Sequence, residues 1–333
     1  MLCGMRSHPP HFADLAEHQQ QIVSRAQLLA AGFDDMYLYR QARRGLWQRV
    51  LPATYALVTG ALTDEQRRIS AALYAGSDAQ LTGLAALTWY GFRQSPRTDA
   101  VQLVVPHHAR RTSTGFAVIS RALTLDDRAR ATPLYPVCSP ARAVVDAARG
   151  LRQLRPVRAV VAEAVQRGYA DLAALDEEIR RARRSRTALV RKAFAEVTQG
   201  VRSAPEAELR DCLAASTVLP EILWNPRLRD AGGRAVPTPD GYLPEAAVAL
   251  EVDSQEYHFR PGDWARTLDR HNELSRFGVL VLHFTPAQIR REPDRVRRSV
   301  EEAYESRRGL GVNIRLRVDV STPPTPPTGD PRG

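Results

Sequence analysis

Lysine is almost missing from this sequence: Lys192 stands alone against 46 arginines in 333 residues. Chemistry that needs a lysine is therefore excluded everywhere except around residue 192. The skew matches codon bias towards a GC-rich genome as well as it matches selection for polyanions. Cysteine is nearly as scarce. Cys3, Cys138 and Cys212 are scattered, odd in number and without CxxC spacing, which excludes a disulfide framework and structural zinc and predicts a reducing, cytoplasmic setting. No stretch reaches the roughly 18 apolar residues of a membrane helix, and "MLCGMRSHPP" has neither the apolar core nor the cleavage site of a signal peptide. What is present, 44% apolar and 25% charged residues, is the balance of a globular chain with room for two or three domains.

The net charge of +10 is unevenly placed. Residues 61–202 carry 23 basic and 13 acidic side chains, whereas residues 203–320 carry 17 and 19. A basic middle suits a nucleic-acid partner through phosphate neutralisation; an arginine-rich proteome would give the same excess.

Patterning predicts an α+β multidomain chain. Residues 11–60 read as three short helices, "FADLAEHQQQ", "IVSRAQLLAAG" and "FDDMYLYRQARRG", followed by a hairpin in "LWQRVLPATYALV". Ser24 is the expected N-cap of the second helix and Gly32 its C-cap. This is the pattern of a winged helix-turn-helix. On its third helix Met36, Leu38 and Ala42 are expected to face the core. Tyr37, Arg40, Gln41 and Arg44 become candidates for DNA contact, with Gln48 and Arg49 on the wing. A solvated helix face, or one that binds protein, would look the same. Residues 61–175 read as a mixed α/β segment with strands "AVQLVVP" and "GFAVISRAL". Residues 176–202 read as one basic connector helix, either solvated or facing phosphate. His107 and His108 are adjacent and read as an exposed turn.

Residues 203–320 follow the order αβββαβ, with "VNIRLRV" as a further edge strand, and "STPPTPPTGDPRG" (321–333) reads as a disordered tail. The strand "ALEVDS" has Val248, Leu250 and Val252 on one face and Glu251 and Asp253 on the other. Asp240 precedes it by one hairpin and is expected beside Glu251 across the ladder. Glu206, on the preceding helix, can lean over the same spot. Converging carboxylates suit Mg²⁺ or Mn²⁺, which prefer oxygen ligands and can activate water against a phosphodiester. Asp253 would serve equally well as a cap to the strand, and Asp240-Gly241 is a common turn pair. Trp264 and Phe277 read as core, and His271 and His283 as structural.

"PDGY" at 239–242 and "EVDSQEYH" at 251–258 resemble the PD-(D/E)xK nuclease core, and more narrowly the branch related to very short patch repair endonucleases. The likeness covers about residues 203–305 and implies a restriction-endonuclease-like fold. It implies Asp240, Glu251 and Asp253 as metal ligands, Glu206 as an auxiliary acid, and His258 as a base or water-positioning group. Asp253 stands where that pattern has its lysine, so Arg266 and Arg270 are the available cations. "IVSRAQLLAAGF" with "RRGLWQRVLPATYAL" is similar to the winged-helix domain of AbiEi-type antitoxins, and the joining of the two parts resembles an actinobacterial architecture. The resemblance implies a DNA-binding regulator of antitoxin type. Its alternatives are an active Mg²⁺-dependent endonuclease delivered by the winged helix, or a module that binds a cognate toxin or other protein through a degenerate nuclease fold.

Overall fold

The computed structural model describes residues 10–183, 185–253, 261–309 and 316–319. Contacts divide the chain into two compact units, one running to Val160 and taking in Tyr169–Val190, the other comprising Val161–Gly168 and the chain from Arg191 onward.

The first unit begins with helix α1 (Pro10–His18), strand β1 (Ile22–Ser24), helices α2 (Arg25–Ala30) and α3 (Asp35–Arg43), and strands β2 (Gln48–Leu51) and β3 (Thr54–Ala56). Ser24 does cap α2, in a reciprocal capping box with Gln27. Gly32 lies one residue past the C-cap Ala31 and takes a positive φ of 86°, which lets the chain turn into α3. Two details differ from expectation. Ile22, Val23 and Ser24 pair with Ala56, Tyr55 and Thr54, so the hairpin grows into a three-stranded sheet of order β1-β3-β2. Ile22 and Val23 are fully buried and β-branched, which favours a strand over a helical turn at that point. Asp34 is the N-cap of α3, its carboxylate accepting from the Tyr37 amide at 2.6 Å, and not a first-turn residue.

Next come α4 (Asp64–Ala75), β4 (Gln80–Leu81), α5 (Gly83–Tyr90), β5 (Val101–Pro106), β6 (Ala117–Ala122) and α6 (Pro140–Gly150). The strands form a sheet of order β4-β5-β6 with β5 and β6 parallel. Ser139 caps α6 with Pro140 in its first turn, as its sequence predicts. Helix α7 (Leu154–Gln166) crosses from the first unit into the second. The single connector helix expected over 176–202 is two helices, α8 (Leu172–Arg181) and α9 (Ala188–Thr198). The arginines of α8 do not stand free for phosphate: Arg180 pairs with Asp176, and Arg181 with Glu177 and Glu178. This is the self-neutralised face of a solvated helix.

The second unit continues with α10 (Ala204–Leu213), β7 (Leu223–Trp224), β8 (Leu228–Asp230), β9 (Ala235–Val236), β10 (Gly241–Leu243), a 3-10 turn over Pro244–Ala246, β11 (Val248–Val252), α11 (Pro261–Arg276), β12 (Leu280–Phe284), α12 (Pro286–Arg291), α13 (Pro293–Arg307) and β13 (Leu316–Val318). Four strands form a sheet of order β12-β11-β10-β7; β13, β8 and β9 form another. The β11-α11-β12 crossover makes β11 and β12 parallel, since parallel neighbours need a long connection. One core joins Val248, Leu250 and Phe284 to residues of α10, α12 and α13. Another joins Tyr242, Ala249 and Val281 to Leu274 of α11. Alternation along β11 thus sends Glu251 and Asp253 towards the α11 side. The segment 321–333, read as a tail, lies outside the described residues.

Candidate functional site

Two places gather functional side chains, one in each unit. In the first unit, α3 is held by an aromatic cluster. The Phe33 ring centroid lies 5.3 Å from those of Phe12 and Tyr37 and 5.7 Å from Trp47; Tyr37 and Trp47 are 5.7 Å apart. These spacings are those of favourable edge and tilted pairs. Leu38 is 1% exposed beneath them.

This packing redistributes the residues expected to face DNA. Tyr37 is turned into the cluster, half-buried, because its ring closes over Phe33 and Trp47. Gln48 is occupied, its amide donating to the carbonyls of Val58 and Gly60 at 2.9 and 2.8 Å. Gln41 is half-buried, while Arg40, Arg44 and Arg49 are exposed. Met36, expected in the core, is 62% exposed, and Tyr39 is 59% exposed. The inward face of the helix is rotated from the expected one: Leu38 sets its direction, so Met36 and Tyr39 fall outside. Asp35 is tied by Arg25 in a two-pronged pair at 2.7 and 2.5 Å. Among the described residues, no ion pair or side-chain hydrogen bond holds Arg40, Arg43 or Arg44.

In the second unit the carboxylates sit at the end of the four-stranded sheet. Gly241 pairs with Leu250, so one further step along the ladder sets Asp240 opposite Glu251. Asp240 Oδ2 accepts from the Val252 amide at 2.8 Å, and the Asp240 carbonyl accepts from Asn225 N at 2.9 Å. Glu206, buried near the start of α10, accepts from the Arg202 amide at 2.9 Å and from Asn225 Nδ2 at 3.1 Å. Burial, and then the neighbouring Glu206 and Glu251, push the Asp240 carboxyl up to about 8. Burial also raises Glu251, although Arg270 opposes it. Arg270 Nη2 lies 3.1 and 3.3 Å from the two Glu251 oxygens and also donates to the Thr238 carbonyl. A guanidinium thus stands beside the acids in a unit that holds one lysine, Lys192 of α9.

Asp253 takes a different partner. His283 Nδ1 lies 2.9 Å from Asp253 Oδ2, and His283 Nε2 lies 2.9 Å from His271 Nδ1. The hydrogen bond to Asp253 holds the His283 imidazolium above its ordinary range. Both histidines read as structural from sequence, yet both lie beside the acidic residues. The available signal was position: Glu251 and His283 are register partners on parallel strands, and a histidine is the one polar interruption in "VLVLHF". His258 lies outside the described residues, as do the side chains of Trp264 and Arg266.

The donors are hard oxygens, as a magnesium site requires, but their arrangement does not fit one. Arg270 occupies Glu251, His283 occupies Asp253, and backbone and amide donors occupy Glu206. Among the described residues, no group of three or more His, Cys, Asp or Glu is placed to hold a metal ion. Also among them, no helix is long and apolar enough to cross a membrane.

The match to a known family falls on the first of these two places. Residues 13–58 match a family described as transcriptional regulator, AbiEi antitoxin. This AbiEi-type segment begins within α1, just after Phe12, runs past β3, and contains Phe33, Tyr37, Trp47 and all of α3. A crystal structure of the RV2827C protein from Mycobacterium tuberculosis is similar to the chain at 16% identity and a TM-score of 0.40, over 66% of this chain and 90% of that one. No curated protein matches the chain.

Proposed function

We propose that the chain is a DNA-binding regulator of antitoxin type whose AbiEi-type segment is a winged helix-turn-helix. In this reading α3 is the recognition helix and the β2-β3 hairpin is the wing. The observation that carries the proposal is the pairing state of the arginines. Arg25 is neutralised by Asp35, while Arg40, Arg43 and Arg44 extend from the exposed side of α3 without an acid partner among the described residues. Cations left unpaired on one helix face are what a phosphate backbone requires. Arg49 adds a cation on the wing. A cognate toxin is the protein partner this reading implies.

The test is duplex binding by the full chain over a range of salt. Wild type is expected to shift duplex DNA, with log Kd rising linearly against log salt. The Arg40→Ala, Arg44→Ala, Arg49→Ala triple variant is expected to lose at least about tenfold in affinity and to flatten that slope by about three. A wild-type chain that shifts no duplex at low salt would sink the reading.

A second reading, a Mg²⁺-dependent endonuclease with a restriction-endonuclease-like second unit, is favoured by one observation. Asp240 is crowded by two further carboxylates, an excess of negative charge that a hard cation would relieve. The side chains as placed do not form a ligand set, so this reading requires them to rearrange before a metal could act. Supercoiled plasmid incubated in Mg²⁺, Mn²⁺ or EDTA decides it. Metal-dependent nicking lost in both Asp240→Ala and Glu251→Ala supports the nuclease; intact plasmid under all conditions removes it.

A further inference from the structure

On α3 the solvent-facing residues fall at i, i+3, i+4 and i+7: Met36, Tyr39, Arg40 and Arg43. This stripe divides along its length. Its first half carries large apolar groups, 62% and 59% exposed, and its second half carries the exposed arginines. The acids at the start of the helix are used within the segment. Asp34 accepts from the Tyr37 amide and Asp35 from Arg25, so both carboxylates already have partners within the segment. The Tyr37 ring is packed into the aromatic cluster, the Gln48 amide donates within the segment, and Gln41 is half-buried. The base-facing end of the helix therefore presents mainly apolar surface, the Met36 side chain and the Tyr39 ring, with the Tyr39 hydroxyl at its tip.

In the major groove of unmodified DNA, one base edge offers an apolar group, the C5-methyl of thymine. We infer that α3 reads thymine methyl groups through Met36 and Tyr39, while Arg40 and Arg43 fix its register on the flanking phosphates. The inference rests on the DNA-binding reading and adds the chemistry of the bases read. Charge complementarity selects the occupant of the stripe: an apolar patch continued by unpaired arginines fits a polyanion with apolar groups in its groove.

The experiment uses the full chain and a duplex selected by it from a random-sequence library. Kd is measured for that duplex and for copies in which single thymines are replaced by uracil, which removes only the methyl. Wild type is expected to bind about fourfold more weakly for each contacted methyl lost. Met36→Ala and Tyr39→Ala are expected to erase the thymine-uracil difference while keeping the salt slope. Arg40→Ala and Arg43→Ala are expected to keep the difference and lower the slope by about one each. All four side chains are exposed, and unchanged melting confirms that the variants fold. Equal binding of thymine and uracil duplexes by wild type overturns the inference and leaves the DNA-binding reading standing, as does a difference that survives both apolar substitutions. Failure to select any duplex overturns both. Self-association lost in Tyr39→Ala, without duplex binding, would also overturn both and assign the stripe to a second copy of this chain.

Discussion

Replacing Asp240 by asparagine is expected to stabilise the second unit by about 2 kcal/mol at pH 8.5 and to have almost no effect at pH 4. The Asp240 carboxyl is raised from 3.8 to about 8, so the folded chain keeps a proton there that the unfolded chain releases. Between those two values stability falls as pH rises, and the loss is complete above the folded value. Asparagine removes the titration and still offers an oxygen to the Val252 amide. Glu206, Glu251 and Arg270 face the same group, and partial contact with solvent holds the effect well below the full linkage value of the shift. Melting curves of both proteins from pH 4 to pH 9 measure it: a gap that does not widen with pH would mean that Asp240 is ionised in the fold throughout. Added Mg²⁺ supplies a second comparison at pH 8.5. Selective stabilisation of the wild type supports the endonuclease reading, and equal melting with and without the ion counts against it.

Truncating Leu38 to alanine is expected to cost about 3 kcal/mol and to abolish duplex binding with it. Leu38 is 1% exposed and packs in one core with Phe12, Leu28 and Trp47, so its loss leaves a cavity under α3. The segment is small, and small cores have little stability to spare. Limited proteolysis within residues 30–60 and loss of the duplex shift should appear together. Retained binding at full affinity would mean that α3 is not the contact helix.

Much of this arrangement was legible from residue patterns because its causes are local. Ser24 marked the start of α2, and Ser139-Pro140 marked that of α6. Period-two alternation assigned Glu251 and Asp253 to the face opposite Val248 and Leu250. The hairpin length placed Asp240 across from Glu251. Each depends on a few neighbouring residues and on backbone geometry that changes little with context.

Tertiary packing decided what these patterns left open. Whether Tyr37 or Tyr39 faces solvent turns on a rotation of α3, and the aromatic cluster of Phe12, Phe33 and Trp47 sets that rotation. Whether Ile22 and Val23 extend a helix or form a strand depends on β3, some thirty residues later, offering them a ladder. The place of His283 beside the acids depends on β12 lying parallel to β11; that of His271 depends on α11 packing over the same face through Leu274. The raised Asp240 carboxyl follows first from its burial, which depends on what packs around the sheet end and on no interval between residues. By itself the sequence determined which residues start, end and alternate along each element. Long-range packing alone decided which side chains meet, because contact across elements depends on the phase and pairing of distant segments.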